Sequence, residues 1–586
     1  MLVHTPLLGV PIPGNLYLAV PDDRGASVPD AENQFNSLLA IYIVAKEPGT
    51  GVILKAPGEV HPDPVTGQLT TTFDELPQAP FTSFTLSFRE GQTAPLSTPP
   101  SCGVFTALEQ FTPWSEPETI IDGSSSFDVT SGVGGGACPS GGVPPFKPQV
   151  VAGTLDPTAG AYSPFYTRIT RSDGEQEITG FSTLLSPGLL GNLTGIPFCS
   201  DAAIEAARTR SGTQETQEPS CPAASKLGHT LVGAGVGGTL VYAPGSVYLA
   251  GPYHGSALSV VAITSATVGP FDLGTVVVRF ALRIDPHTSQ ADIDAKGSDP
   301  IPHIIDGIPA HVRDIRVYID RPAFTLNPTN CNPMALAMTV TGSGANFASS
   351  SDDVPVNVTD PFQVANCSAL GFKPQLKAST SGHTSRVTGA SLTVKLTYPT
   401  GPQANIHSVK VDLPKQLPAR LTTLQKACPD YVFNNNPAGC PPASVVGSAH
   451  ATTPILPVAL NGPAYFVSHG GAAFPELVIV LQGYGITVYL QGATFISKAG
   501  ITSSTFKSIP DVPVGSFELT LPQGHYSALA ANGNLCNTTL RMPTAYTAQN
   551  GVSIHTTTPI NVTGCAKHKK AKKTSHHKKS KQKKKK

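Results

Sequence analysis

Tyr248-Leu249-Ala250 repeats Tyr17-Leu18-Ala19, and Tyr465 opens a third copy of the same stretch; the three tyrosines stand 231 and 217 residues apart. Self-similarity at a long, nearly fixed period marks an array of alike units. In such arrays function sits on surfaces or on the array as a whole rather than in one catalytic cleft.

Working outward, each tyrosine copy leads to an apolar alternation: Phe84, Leu86, Phe88; Ile315, Val317, Ile319; Phe517, Leu519, Leu521. Successive side chains of a strand point to opposite faces, so each triplet predicts a strand with one face in a core. A second kind of module opens at Phe146-Lys147-Pro148-Gln149 and again at Phe372-Lys373-Pro374-Gln375, 226 residues on. Ile178 to Leu185, Ile406 to Leu413 and Leu392, Val394, Leu396 predict its strands. Ser200 is placed to cap a short helix through Ala202 to Arg208.

The fold expected is all-β, a tandem array of alternating immunoglobulin-like β-sandwich modules with a disordered basic C-terminal tail. The divisions expected are 1–13, the end of a truncated preceding module, then 14–137, 138–244, 245–366, 367–461 and 462–566 for the sandwiches and 567–586 for the tail. The copy preceding Tyr17 starts inside a module and no secretory leader stands at the N-terminus, so an N-terminally incomplete sequence is expected.

Composition agrees. With 56 Gly, 56 Pro and 13% charged residues among 586, the chain is turn-rich and core-forming rather than solvating. The formal net charge of zero conceals a separation: residues 567–586 hold 12 of the 39 Lys and Arg and no acid, which leaves 27 bases against 39 acids in the rest. No apolar run approaches the roughly 18 to 20 residues of a membrane-spanning helix.

Ten cysteines fall into neighbours that track the repeat: Cys102 with Cys138, Cys199 with Cys221, Cys331 with Cys367, Cys428 with Cys440, Cys536 with Cys565. An even number of cysteines at recurrent spacings of this kind predicts five local disulfides and an oxidising compartment. Zinc would need four converging ligands with close-set pairs, which these spacings do not offer.

The motifs Cys-Pro-x-Ala-Ser (Cys221 to Ser225, Cys440 to Ser444), Thr5-Pro6-Leu7-Leu8, Tyr-Leu-Ala, Gly67-Gln68-Leu69-Thr70-Thr71-Thr72-Phe73 and Phe111-Thr112-Pro113-Trp114 give the chain its family likeness. It resembles large, secreted, uncharacterised bacterial repeat proteins of high-GC Gram-positive (actinobacterial) type. The resemblance implies secretion and β-rich modules, and it brings no catalytic residue with it.

Candidate sites are few. Gly233-Ala234-Gly235-Val236-Gly237-Gly238 satisfies a dinucleotide-binding pattern, but Thr239 to Tyr242 and Pro244 follow where a helix would be needed, so a linker is expected. Asp285, Asp292, Asp294 and Asp299 crowd one segment; Lys296 and His303 stand where a calcium loop needs oxygen ligands, and a solvated acidic turn is the expectation. No cofactor, metal or catalytic set is assigned. The signal with most functional content is the tail: Lys567, Lys569, Lys570, Lys572, Lys573, Lys578, Lys579, Lys581, Lys583, Lys584, Lys585 and Lys586. In an extracellular setting its partner is an anionic envelope polymer or lipid headgroups rather than a specific nucleic acid.

The functional expectation is therefore a secreted or cell-surface structural or adhesive array, not an enzyme, held electrostatically by its tail. A carbohydrate- or ligand-binding array is the alternative, and a hydrolase acting on extracellular polymers the third reading.

Overall fold

The computed structural model describes residues 1–19, 37, 39–74, 76–91, 94–99, 101–345, 354–399 and 401–565. The twelve tail lysines lie outside these residues. The protein is all-β, with thirty-five strands and four short α-helices among the described residues.

One sheet of eleven strands runs in the order Val354–Phe362, Met334–Gly342, Ile178–Leu184, Ala291–Asp294, Phe271–Ile284, Leu258–Val268, Val241–Ala250, Lys226–Ala234, Val312–Ile319, Phe165–Thr170, Gln149–Thr154. It curls until its two edge strands meet. The Ala152 N–H donates to the Asp360 carboxylate at 2.8 Å, and Thr158 bridges Ala365 in parallel just beyond. The result is a barrel-like sandwich.

The next sheet repeats this topology and closes fully. From Leu460–Ser468 it passes through Val445–Thr452, Ser516–Leu521, Leu392–Thr397, Gln375–Ser381, Ser553–Thr563, Arg541–Ala548, Ile406–Asp412, Thr502–Phe506, Ile486–Ile496 and Glu476–Gly483, which pairs back with Leu460–Ser468. The short strand Cys428–Pro429 hangs off this ring. Where the first barrel's edges meet, the second has a parallel ladder, Ala378 beside Ile560 through Ser381 beside Thr563.

The divisions expected at 244/245 and 461/462 fall inside the strands Val241–Ala250 and Leu460–Ser468. The reason is hydrogen bonding. Val312–Ile319 takes both its partners, Lys226–Ala234 and Phe165–Thr170, from the preceding half. Severed there, its N–H and C=O groups would lose every ladder partner. Each barrel therefore needs one half of each kind.

Residues before 130 supply the same order again, Leu69–Thr72, Ile53–Pro62, Leu39–Lys46, Ile12–Ala19, Leu2–His4, Ser83–Thr85, plus a separate hairpin of Gly103–Phe111 with Ile121–Val129. Only Ser83–Thr85 of the expected Phe84, Leu86, Phe88 strand forms, and Phe84 is 43% exposed where Ile315 is 7%. Among the described residues of this segment, none stands where Phe165–Thr170 flanks Ile315.

The tyrosine repeat acquires a physical meaning in the barrels. The Ser200 side chain accepts the Ala203 N–H and starts a helix at Asp201–Arg208, whose Ile204 and Ala207 bury Tyr248, Ala250, Val261 and Ile263 on the barrel's outer face. Phe433 covers Tyr465, Val467, Val478 and Val480 in the same way. These strands are buried on both faces, which explains near-continuous runs such as Leu258 to Ile263. In the first segment no helix covers Tyr17 among the described residues, and Tyr17 is half exposed.

Candidate functional site

An eight-stranded barrel is just wide enough for its own side chains to fill, and diameter grows with strand number. Eleven strands enclose more than inward side chains occupy unless something else enters. In the second barrel the connecting segments enter: Leu417, Leu424, Leu529, Leu535 and Leu540 are buried among the inward residues. The first barrel keeps a lumen.

That lumen is an apolar cavity of about 350 Å³, continuing past the junction to Leu460, Leu481, Val488 and Phe517 of the second barrel. Along Leu258–Val268 the inward positions Leu258, Val260 and Ala262 line it in alternation, and Ala262, Thr264, Ala266 and Val268 continue along the space beyond. Phe181 and Phe280, with ring centroids 5.0 Å apart, separate it from a second chamber of about 260 Å³ at the far end. There the segment Ile301 to Ala310 forms the wall.

The lining contains no Lys, Arg or His, and its one ionisable group is Asp292. Burial, reinforced by Asp294, raises the Asp292 carboxyl above its usual range. Thr167 and Ser289 also line the cavity; both residues are more than 90% buried, and among the described residues neither side-chain oxygen has a hydrogen-bond partner. A crevice of about 670 Å³ between the barrels, walled by Tyr162, Tyr398, Gln403 and Asn405, shares Thr452, Thr453, Pro513 and Val514 with the cavity.

The barrels are docked by a buried polar node. Thr329 of the first donates its N–H (2.7 Å) and hydroxyl (2.5 Å) to Asp511 of the second, and Asn405 Nδ2 donates to the same carboxylate at 2.7 Å. Burial pushes the Asp511 carboxyl up despite these donors. Leu193 N–H to Ile455 O (2.8 Å) and Tyr489 N–H to Pro286 O (2.8 Å) add backbone bonds across the junction. One apolar cluster spans both barrels, from Val150 and Ile169 to Ile406 and Tyr546.

The ten cysteines are joined as Cys102–Cys138, Cys199–Cys221, Cys331–Cys367, Cys428–Cys440 and Cys536–Cys565. Three of these tie the ends of a barrel's last hairpin or its counterpart before residue 138; the other two close the helical excursions over Tyr248 and Tyr465.

The four aspartates of the acidic segment do not converge. Asp285 accepts the N–H groups of His287 and Thr288, Asp292 stands opposite Arg283 in the ladder, and Asp294 pairs with Arg283. Asp299 binds Tyr253, Arg208 and the Arg279 N–H; burial disfavours its ionised form, but these donors hold its carboxyl below the usual range. Among the described residues no three of His, Cys, Asp or Glu gather closely enough to hold a metal ion. Gly233 to Gly238 is a hairpin connection rather than a linker: the Gly237 N–H bonds Asp173 at 2.6 Å and its carbonyl accepts from Arg313 at 2.7 Å.

Neither a family model nor a curated protein matches the chain. Among solved structures, one described as "Biofilm associated protein - B domain" aligns with 70% of this chain and 84% of its own, at 9% identity and a TM-score of 0.14. A likeness of that degree carries no inference.

The sequence reading missed the cavity. Alternating apolar residues look alike whether they meet a facing sheet or an open lumen, and strand number decides which.

Proposed function

We propose that this chain is an extracellular, surface-associated structural or adhesive array without catalytic activity, in which barrels joined end to end present their outer faces and the lysine tail holds the array on an anionic envelope polymer or lipid surface. The observation that carries the reading is the joining: disulfides within each unit and a core that continues from one barrel into the next. Such construction suits a stiff extracellular element, since closed loops stabilise it where thiols stay oxidised. No described helix is long and apolar enough to cross a membrane; the twelve lysines supply an attachment that ionic strength screens.

Extraction of intact cells with rising NaCl tests this. The full chain is expected to leave the surface progressively as salt rises, and a chain lacking residues 567–586 to leave at low salt. Identical release of the two would overturn the tail's role.

A further inference from the structure

We infer that the lumen of the first barrel is a binding site for one uncharged long-chain lipid, a fatty alcohol or acyl ester, whose chain lies along the barrel axis past the Phe181–Phe280 pair. This inference does not rest on the surface role proposed above.

Three observations carry it. The first is size: an apolar protein cavity of about 150 Å³ takes a benzene ring, so a lumen of about 350 Å³ takes about 14 carbons in proportion. It is also elongated, following the inward positions of Leu258–Val268 from Leu258 toward Ala262, with further room beyond the two phenylalanines. A chain fits that shape better than a compact ring system.

The second is charge. A carboxylate or phosphate inside would meet no cation in the lining, and burying an unpaired charge is strongly unfavourable. The ligand is therefore uncharged. The third is the pair of hydroxyls: Thr167 and Ser289 belong to the lining of the lumen, are more than nine-tenths buried, and their side-chain oxygens lack hydrogen-bond partners among the described residues. Buried polar atoms are nearly always satisfied, and a ligand hydroxyl or ester oxygen would satisfy these. The crevice between the barrels adjoins the cavity at Thr452, Thr453, Pro513 and Val514 and gives a way in.

The test uses the full chain with N-phenyl-1-naphthylamine as a fluorescent reporter, displaced by 1-hexadecanol, monopalmitoylglycerol or palmitate at pH 8, and native mass spectrometry to count adducts. Hexadecanol and monopalmitoylglycerol are expected to displace the dye with one adduct per chain, and ionised palmitate to bind about tenfold more weakly or worse. Ala262→Trp, which fills the lumen beside the two phenylalanines, is expected to abolish displacement. Thr167→Val with Ser289→Ala removes only two oxygens and is expected to weaken the alcohol about fivefold while leaving dye binding intact. Absence of displacement by both neutral lipids overturns the proposal. So does full binding by a folded Ala262→Trp chain, or equal affinity for palmitate and its alcohol. If Ala262→Trp does not fold, the hydroxyl pair decides: unchanged affinity for the alcohol counts against the site.

Discussion

The Ala152 N–H points at the Asp360 carboxylate across the seam of the first barrel, at 2.8 Å. A side chain stands there where the second barrel has a ladder carbonyl, and just beyond it the backbone of Pro157 to Ala159 bonds Ala365 to complete the closure. Asp360→Ala is expected to leave a buried N–H unpaired and to cost about 1 to 3 kcal/mol in urea unfolding. Faster hydrogen exchange at Ala152, with the second barrel unchanged, would locate the loss at the seam.

The helical excursion over Tyr248 is tied by Cys199–Cys221, a closure of 22 residues. Replacing both cysteines by serine is expected to cost about 3 kcal/mol and to expose Tyr248, now 2% accessible. Thermal unfolding read by near-ultraviolet circular dichroism checks it. An unchanged midpoint would mean that the apolar contacts of Ile204 and Ala207 hold the helix alone.

Asp314 governs acid stability. Burial works against its ionised form, but bonds from Arg168, Arg316 and the Tyr242 hydroxyl hold its carboxyl down to about 2, against an ordinary 3.8. The unfolded chain binds the proton first, so this stabilisation is full above about pH 4 and is lost as pH falls toward 2. It amounts to about 2 kcal/mol. Asp314→Asn is expected to flatten the stability profile between pH 4 and 2; an unaltered slope would assign acid lability to other carboxylates.

Asp511 has the opposite sign. Its carboxyl is raised by burial, so the folded state binds the proton more tightly and this group's contribution falls as pH rises above 3.8. Its donors still make it the clasp between barrels. Asp511→Ala leaves Thr329 and Asn405 unpaired and is expected to split one unfolding transition into two in calorimetry. A single transition with an unchanged midpoint would show that the shared apolar cluster couples the barrels without the clasp.

Much of the local structure was legible. Ile315, Val317 and Ile319 form the strand their alternation announces, and Ser200 caps the helix it precedes. What the residues did not disclose was which strands pair: Ile315 meets Ile169 and Val232, 146 and 83 residues upstream, and no local pattern encodes partners at that distance. Phe84 shows the converse, since its alternation is as regular as that of Ile315 but the strand is short and has no second neighbour among the described residues. The cavity was invisible for the same reason. An inward Ala262 reads as core until the ring it belongs to is counted.

The central claim is that halves adjacent in sequence build one barrel. Nitroxide labels at Ser182 and Thr339, which stand opposite each other in the ladder between Ile178–Leu184 and Met334–Gly342, test it most directly by electron paramagnetic resonance. The paired ladder places their Cα atoms about 5 Å apart and predicts strong dipolar broadening. Narrow lines, as for labels on two separately folded sandwiches, would contradict it.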